Sequence, residues 1–495
     1  MTAESPESKD LATSAARGAS VTLAGQVARL LIQLVGVIVL SRLLLPSDFG
    51  IVAMVAAFIG LGEILRDFGL GSAAVQARTL THQQRDNLFW INTALGLLMG
   101  ILIAVAAPYI AEFYSEPRLV AVTQVLAVGL LLNGMTAQYR ANLSRHLKFA
   151  HVTISDVAPA FLALVTAAVL SFMGWGYWAL VGQQLTQALL GLILAAAFGR
   201  WVPGLPRRTP GMRELITYGV NLFGVAILNY VTRNVDSVVV GARFGATNLG
   251  LYNRAYELVT HSINRINMPL TRVAVSVLSR LQDQPARHGD FLLLGQKVLL
   301  HITLPLLGIG AALAYQLVIV VLGVNWIGSA PIVQILVVGA AADVAGYATY
   351  WFALSKGRTA AYLHINLVTA PVKISLILVG SIWGTMGVAA GFATGSIVLW
   401  IVALLWLGKS AAAPSMKLFT SALRALSVNV IAAVGAFSAT LLVVPGGEWA
   451  QIAVGLAAYL VLWATGVGCL RPVRRDVLEV VGARRYFRNS SESRS

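Results

Sequence analysis

The residues of this sequence that could do chemistry are charged side chains in the middle of long apolar segments. Arg29 precedes a predicted turn near residue 44 by about fifteen residues, and Glu63 follows a turn near residue 48 by about fifteen residues. Because a helix rises about 1.5 Å per residue, both side chains reach a similar depth, near the middle of a bilayer. A charge at that depth is costly unless it faces water or an opposite charge, so this pair predicts an internal polar cavity.

A second group of charges shares one face of a predicted helix over 248–279, because its members are separated by 3, 4, 4 and 7 residues. The members are Arg254, Glu257, His261, Arg265 and Arg272. An arginine guanidinium makes paired, charge-assisted hydrogen bonds that suit a diphosphate. The excess of arginine on this face predicts a water-filled cavity of net positive charge, lined by predicted helices 1, 2, 7 and 8.

Four more charges complete the candidate site. Arg233 and Asp236 lie near the outer end of predicted helix 7, while Asp343 and Lys373 approach the middle of the membrane on helices 10 and 11. The candidates for binding an anionic substrate are the basic side chains, namely Arg29, Arg265, Arg254, Arg233, Lys373 and His261. The candidates for coupling protons or sodium are the acidic ones, namely Glu63, Asp236, Glu257 and Asp343, because burial can change their charge.

The same charges admit a structural interpretation, which the sequence leaves open. Arg233 with Glu257, or Asp236 with Arg254, could be ion pairs that lock two helices together. A long basic side chain near a helix end, such as Lys297, can extend to the membrane surface and keep its charge in water.

The elements that position these charges are predicted to be transmembrane helices. Hydrophobic residues make up 57% of the 495 and charged residues 11%, far below the roughly 25% of soluble domains. Continuous apolar runs of about twenty residues recur along the chain, and each is long enough to span a bilayer. We therefore predict an all-α integral membrane protein with about fourteen transmembrane helices.

The distribution of Lys and Arg predicts the orientation. The net charge of +16 lies in short loops and not in a stripe, so we do not expect nucleic acid as a partner. With the N-terminus inside, the loops after even-numbered helices, such as the one that begins at Arg140, carry nearly all of this charge. Both termini are therefore predicted to be cytoplasmic, and Asp156 is interpreted as a loop-edge charge at the same surface.

Weak internal similarity at an offset of 200 to 210 residues predicts two parallel lobes. Phe49-Gly50-Ile51 matches Leu249-Gly250-Leu251, and the later matches keep the same order. The predicted segments are a cytoplasmic tail (1–17), a six-helix lobe (18–199), a second six-helix lobe (213–408), two further helices (420–470) and a basic cytoplasmic tail (471–495). Two lobes of this kind with a site between them are a transporter architecture.

Three blocks of the sequence resemble the MOP-superfamily polysaccharide exporters, the Wzx-like lipopolysaccharide flippases, and particularly their colanic-acid-exporter-like branch. The blocks are L-S-R-L-L-L-P-S-D-F-G from residue 40, G-L-G-S-A-A-V-Q from residue 69, and N-Y-V-T-R-N-V-D-S-V-V-V-G-A-R-F-G-A-T-N-L-G-L-Y-N-R-A-Y-E from residue 229. The resemblance covers about residues 12–410. It implies translocation of undecaprenyl-diphosphate-linked oligosaccharides from the cytoplasmic to the outer leaflet of the inner membrane, by alternating access driven by an ion gradient.

We therefore predict a flippase for a lipid-linked oligosaccharide and not an enzyme. The sequence contains no G-x-x-x-x-G-K-[ST] phosphate loop and only one cysteine, so neither ATP hydrolysis nor a thiolate zinc site is expected. No cofactor is predicted apart from H⁺ or Na⁺ coupling, and the expected partners are membrane lipids and polysaccharide polymerase or assembly proteins. Two alternatives stay open: an ion-coupled multidrug-type exporter of the same superfamily, and a membrane-embedded glycan-processing enzyme.

Overall fold

The structure of the protein is a computed structural model. Nearly all of the residues that it describes are helical, and no strand occurs among them. The structure describes residues 6–67, 80–207, 209, 212–409, 413–442 and 447–492. Within those ranges it leaves out the side chains of residues 6–17, 19, 212–229, 261–262 and 483–492.

Sixteen α-helices follow one another in the described part of the chain. They are α1 (Pro6–Leu43), α2 (Pro46–Asp67), α3 (His82–Phe113), α4 (Leu119–Arg145), α5 (Phe149–Phe172), α6 (Tyr177–Gly199), α7 (Met212–Tyr256), α8 (Ser262–Arg280), α9 (Pro285–Ala312), α10 (Ala314–Val321), α11 (Ser329–Ser355), α12 (Thr359–Gly380), α13 (Gly384–Gly408), α14 (Ser415–Leu441), α15 (Gly447–Cys469) and α16 (Arg471–Glu492). A π-helical turn, Glu257–His261, joins α7 to α8.

The prediction of about fourteen transmembrane helices is confirmed. Among the described residues, eleven segments are apolar and long enough to cross a membrane, and one of them, Thr359–Gly408, contains both α12 and α13. The chain from α7 to α8 supplies two more helices, because Gly245 breaks α7 with a backbone φ of 79°. Glycine adopts this left-handed conformation without the steric penalty of a Cβ atom.

Two compact units make up the chain, and the boundary between them falls inside α7. They comprise residues 1–250 and residues 251–495. In the first unit α3 packs on α4, α5 packs on α6, and α1 packs on α5. In the second unit α13 packs on α11 and α12, while α9 packs on α11 and α14. The predicted lobes, 18–199 and 213–408, divide the chain before α7, and that assignment stays a prediction.

A reciprocal glycine contact joins the start of α2 to the part of α7 that follows Gly245. A Cβ atom on Gly50 would overlap the backbone carbonyl of Ala246, and a Cβ atom on Gly250 would overlap that of Pro46. The two glycines are the residues that the internal repeat aligns with each other. Small residues at such a crossing let two helix backbones approach closely inside a membrane.

We expect Gly50→Ala to destabilise the protein by about 1–3 kcal/mol, because the new methyl group meets backbone, which cannot turn aside. The measurement is the thermal unfolding temperature of the purified protein in detergent. Gly129→Ala in α4 is the matched control, since nothing lies within 4 Å of its Cβ position. The control should melt at or slightly above the wild-type temperature, and equal melting of the two variants would refute the close crossing.

A buried ion-pair network holds the C-terminal helix, α16, to the second unit. The Lys297 ammonium lies 2.6 Å from a carboxylate oxygen of Asp476 and 2.6 Å from one of Glu479. Arg424 pairs with the other Asp476 oxygen at 3.0 Å. The interpretation of Lys297 as a side chain that reaches for surface water was therefore wrong: its side chain is only 6% exposed, and its charge is neutralised by residues about 180 positions later.

The contacts of Glu479 in this network favour its ionised form. Burial by itself would raise the pKa of its carboxyl, but the hydrogen bonds and charges of Lys297 and Arg475 outweigh burial and hold the pKa below its usual value. A carboxyl whose pKa is lowered on folding contributes stability above its ordinary pKa and loses it as the pH falls through the lowered value. The attachment of α16 should therefore persist through neutral pH and weaken only in acid.

We expect Lys297→Met to cost up to about 3–5 kcal/mol, because it leaves the buried Asp476 carboxylate with Arg424, a partly exposed side chain, as its remaining ion-pair partner. The double variant Lys297→Met/Asp476→Leu should be destabilised by less than the sum of the two single changes, since it removes both charges. Melting temperatures of all four proteins give this coupling directly. Additive effects would mean that the two side chains do not interact.

Candidate functional site

A polar cavity of about 240 Å³ opens inside the first unit, among helices that are otherwise apolar. Five helices contribute to its wall: α1, α2, α4, α5 and α6. The lining residues are Arg29, Glu63, Asn133, Thr136, Arg140, Ser155, Asp156, Pro159, Gln184, Gln187, Ala188 and Gly191. Arg29 and Glu63, whose positions in the sequence predict similar depths, thus line one cavity.

The charges of this cavity are not equally neutralised. Arg140 forms an ion pair with Asp156, and the Glu63 carboxylate accepts a hydrogen bond of 2.9 Å from the Asn133 amide. Arg29 makes no ion pair within the described part of the chain, and its charge is close enough to repel that of Arg140. The cavity lining holds two arginines and two carboxylates, so its formal charges balance. An anion could approach Arg29 directly, whereas it would have to displace Asp156 to reach the Arg140 guanidinium.

Local helix geometry explains how the polar side chains converge. On α4, Asn133, Thr136 and Arg140 are spaced 3 and 4 residues apart, so they share one face. Gln184 and Gln187 share a face of α6 in the same way. Helix geometry therefore brings the polar lining residues of α4 together on one face, and likewise those of α6.

Sequence reasoning missed most of this wall. The sequence predicts Arg140 in an inner loop and Asp156 at a loop edge, but the structure places both in the cavity lining as an ion pair. The spacing of Asn133, Gln184 and Gln187 within their helices was the available signal. An uncharged amide side chain within an apolar helix indicates a polar environment, as a charge does, because it too needs a polar partner when buried.

The predicted charged face over 248–279 is not continuous. The π-helical turn Glu257–His261 interrupts it, so residues after the turn are rotated relative to those before it. Arg254 and Glu257, before and at the turn, form an ion pair of 2.5 Å, and Arg254 also lies 6.0 Å from the centre of the Trp326 ring. Arg265, after the turn, has an exposed side chain. The prediction of one helical face was therefore wrong, since it assumed 3.6 residues per turn throughout.

Lys373 and Asp343 occupy separate polar positions in the second unit. The Lys373 ammonium donates a hydrogen bond of 3.1 Å to the Ser396 hydroxyl and lies 3.7 Å from the centre of the Phe392 ring. This cation–π contact gives the charge a local partner without an acid. Asp343 on α11 is half-buried and interacts electrostatically with Tyr362.

The remaining candidates on α7 and in the π-turn differ in exposure. Asp236 is buried, with 1% of its surface exposed, and its carboxylate accepts a hydrogen bond of 2.9 Å from the backbone of Ser237. Arg233 is exposed. The side chain of His261 lies outside the described residues, so its role stays a prediction. Arg254 has an ion-pair partner in Glu257, three residues further along the chain.

The fold is that of an integral membrane transporter. Over 89% of this chain and 97% of the other, the structure resembles the lipid II flippase MurJ in an inward closed conformation, with a TM-score of 0.68 at 12% identity. It also resembles an inward-facing multidrug resistance MATE family transporter of the MOP superfamily, with a TM-score of 0.58 at 17% identity over 79% of this chain and 95% of the other. At these identities the likeness shows the fold and not the substrate.

The chain belongs to the polysaccharide biosynthesis protein family, whose model matches residues 39–331. It is 28% identical to the teichuronic acid biosynthesis protein TuaB of Bacillus subtilis (strain 168), over 56% of this chain and 58% of TuaB. It is 25% identical to the lipopolysaccharide biosynthesis protein WzxC of Escherichia coli (strain K12), over 74% of this chain and 75% of WzxC. The family resemblance seen in the sequence is thereby confirmed.

Cysteine labelling can test whether the cavity is wet. In a background that lacks the one native cysteine, Cys469→Ser, we expect Arg29→Cys to react with a membrane-impermeant thiol reagent, because Arg29 lines the cavity. Leu31→Cys is the matched control. Leu31 is 56% exposed on the same helix but outside the cavity lining, where its exposure would be to lipid. Equal labelling of the two positions, or labelling of neither, would count against an open aqueous cavity.

Proposed function

We propose that the protein is a flippase that moves an undecaprenyl-diphosphate-linked oligosaccharide from the cytoplasmic to the outer leaflet by alternating access. The observation that carries this proposal is the cavity in the first unit, which combines two arginines with a wall of amides and hydroxyls. Membership of the polysaccharide biosynthesis protein family supports a glycan as cargo. The cargo leaves chemically unchanged, so the protein is not an enzyme.

The diphosphate carries negative charge, so it is the part of the substrate that is most costly to move through the membrane without contacts from the protein. Arg29 is the first contact, because it lines the cavity and makes no ion pair among the described residues, and its planar fork can bind two phosphate oxygens. Arg140 becomes available when a phosphate displaces Asp156 from it. Asn133, Gln184 and Gln187 offer hydrogen bonds to sugar hydroxyls, while the polyprenyl tail stays in the lipid.

Asp156 also affects the stability of the empty cavity and the release of the substrate. When the cavity is empty, its carboxylate neutralises Arg140, and this lowers the cost of two like charges in a membrane-embedded space. A bound diphosphate competes with an internal carboxylate, so affinity is held low enough for release. An exchange of this kind favours turnover over tight binding.

Ion coupling is assigned to acidic groups within the spans. Glu63 faces the same cavity as Arg29, so its protonation would alter the charge available to the substrate. Asp236, Glu257 and Asp343 are further candidates for H⁺ or Na⁺. The remaining predicted substrate ligands, Arg233, Arg254, Arg265, Lys373 and His261, would act at other stages of the cycle.

The proposed setting is the inner membrane, with both termini in the cytoplasm, as the distribution of Lys and Arg in the loops indicates. The substrate would enter from the cytoplasmic side. A polysaccharide polymerase or assembly protein would receive it on the other side.

Export of a small organic cation is the second candidate function, because the cavity also contains two carboxylates, Glu63 and Asp156. In the structure both already have polar partners, Asn133 and Arg140 respectively. Arg29 would also repel a cation. These contacts favour an anionic cargo over a cationic one.

We expect Arg29→Gln and Arg140→Gln each to reduce flipping about 10- to 100-fold, because each removes a charge-assisted contact of about 1.5–3 kcal/mol. The assay is complementation of a deletion strain, with lipid-linked glycan on the cytoplasmic face quantified alongside surface polymer and protein abundance. Arg118→Gln is the matched control, since Arg118 is exposed and pairs with Glu116 in the loop between α3 and α4. Its activity should equal that of the wild type.

Three outcomes would contradict the proposal. Full activity of both cavity variants at normal abundance would remove the proposed diphosphate site. Normal lipid intermediates in the deletion strain, together with greater sensitivity to cationic dyes, would favour drug export. A radiolabelled lipid-linked glycan that changes chemically, and not only its leaflet, would identify an enzyme.

A further inference from the structure

Helix α16 begins where the last transmembrane helix ends. Helix α15 stops at Cys469 and α16 starts at Arg471, so only Leu470 separates them. A helix joined so closely to a membrane span must start at the level of the lipid head groups. This placement depends on chain connectivity alone and not on which end of the span is cytoplasmic.

One side of α16 is fixed against the second unit. Val473 and Asp476 are each 3% exposed, and Val477 and Val480 beside them are partly buried. The ion pairs of Asp476 with Lys297 and Arg424 prevent the helix from rolling about its own axis. The rotation of α16 about its axis, and so the direction in which each of its other faces points, is thereby determined.

A different side of α16 combines basic and apolar side chains, all of them exposed. Arg471, Arg474, Leu478 and Val481 are spaced 3, 4 and 3 residues apart and share one face, and Leu470 precedes them on the same side. Leu478 is 59% exposed and Val481 is 62% exposed. Arg475, 83% exposed at its side chain, lies on a third side, next to Glu479.

We propose that this second face, from Arg471 to Val481, binds the head groups of anionic phospholipids while its leucine and valine side chains enter the acyl region. A basic helix with apolar residues between its arginines lies in the plane of a membrane surface, and each arginine adds attraction to negative lipid. The membrane is the occupant that the connection to α15 brings into reach. The proposal is independent of the transport function, so its failure would leave the flippase proposal untouched.

Hydrogen exchange of the full-length protein in nanodiscs tests this site. The backbone amides of 471–482 are compared in discs of phosphatidylcholine alone and in discs that also contain phosphatidylglycerol. We expect anionic lipid to slow their exchange, by about 25-fold if each of two arginines contributes about 5-fold. Raised salt should reverse much of this protection, because the head-group attraction is screened.

The variant Arg471→Gln/Arg474→Gln should lose the difference between the two lipids while keeping the wild-type melting temperature, since neither arginine belongs to the Lys297 network. Arg280→Gln/Arg287→Gln is the matched control. It removes two exposed charges from the same unit and should retain the lipid effect.

Two results would overturn the proposal. The first is equal exchange of the wild type in both kinds of disc, or an equal lipid effect in wild type and in the Arg471/Arg474 variant. The second is protection that is absent with anionic lipid and arises only when purified glycan-synthesis proteins are added, which would make this face a protein-docking surface instead.

Discussion

Hydrocarbon cannot solvate charge, and the arrangement of polar groups in this protein follows from that constraint. Several intramembrane charges in the described part of the chain are accommodated by different kinds of contact. Lys297 is neutralised by carboxylates, Lys373 rests on an aromatic ring and a hydroxyl, and Arg29 faces a polar cavity. The first two arrangements stabilise structure. The third leaves a cation available to a ligand, which is why the cavity in the first unit stands apart from the other polar positions.

The segment from α7 to α8 departs from simple membrane spans, because its helical geometry is broken at two places. Gly245 interrupts α7 and a π-helical turn separates α7 from α8, so the segment that carries most of the family's sequence signature is also the least regular. A π-turn re-aims the side chains that follow it. Arg254 and Glu257 are thereby joined locally, while Arg265 is directed elsewhere. Irregular backbone of this kind is tolerated in membranes where protein or water can satisfy it.

Attachment of α16 shows how a terminal segment can become part of a membrane domain. Asp476 and Glu479 enter the ion-pair network of α9 and α14, while Arg471 and Arg474 lie outside it. Charges of opposite sign on one short helix therefore have different tasks. Asp476 and Glu479 hold the helix to the protein, and the exposed side chains of Arg471 and Arg474 face the surroundings.

The sequence by itself determined the membrane class, the number of spans, the family, and the shared cavity position of Arg29 and Glu63. These properties depend on apolar run length and on residues close in sequence or related by simple helix geometry. Only the tertiary structure decided that Lys297 meets Asp476, that Arg140 meets Asp156, and that Gly50 packs on α7. Contacts between distant segments depend on which helices become neighbours and on how each is rotated. A π-turn changes that rotation without any distinct signal in the sequence.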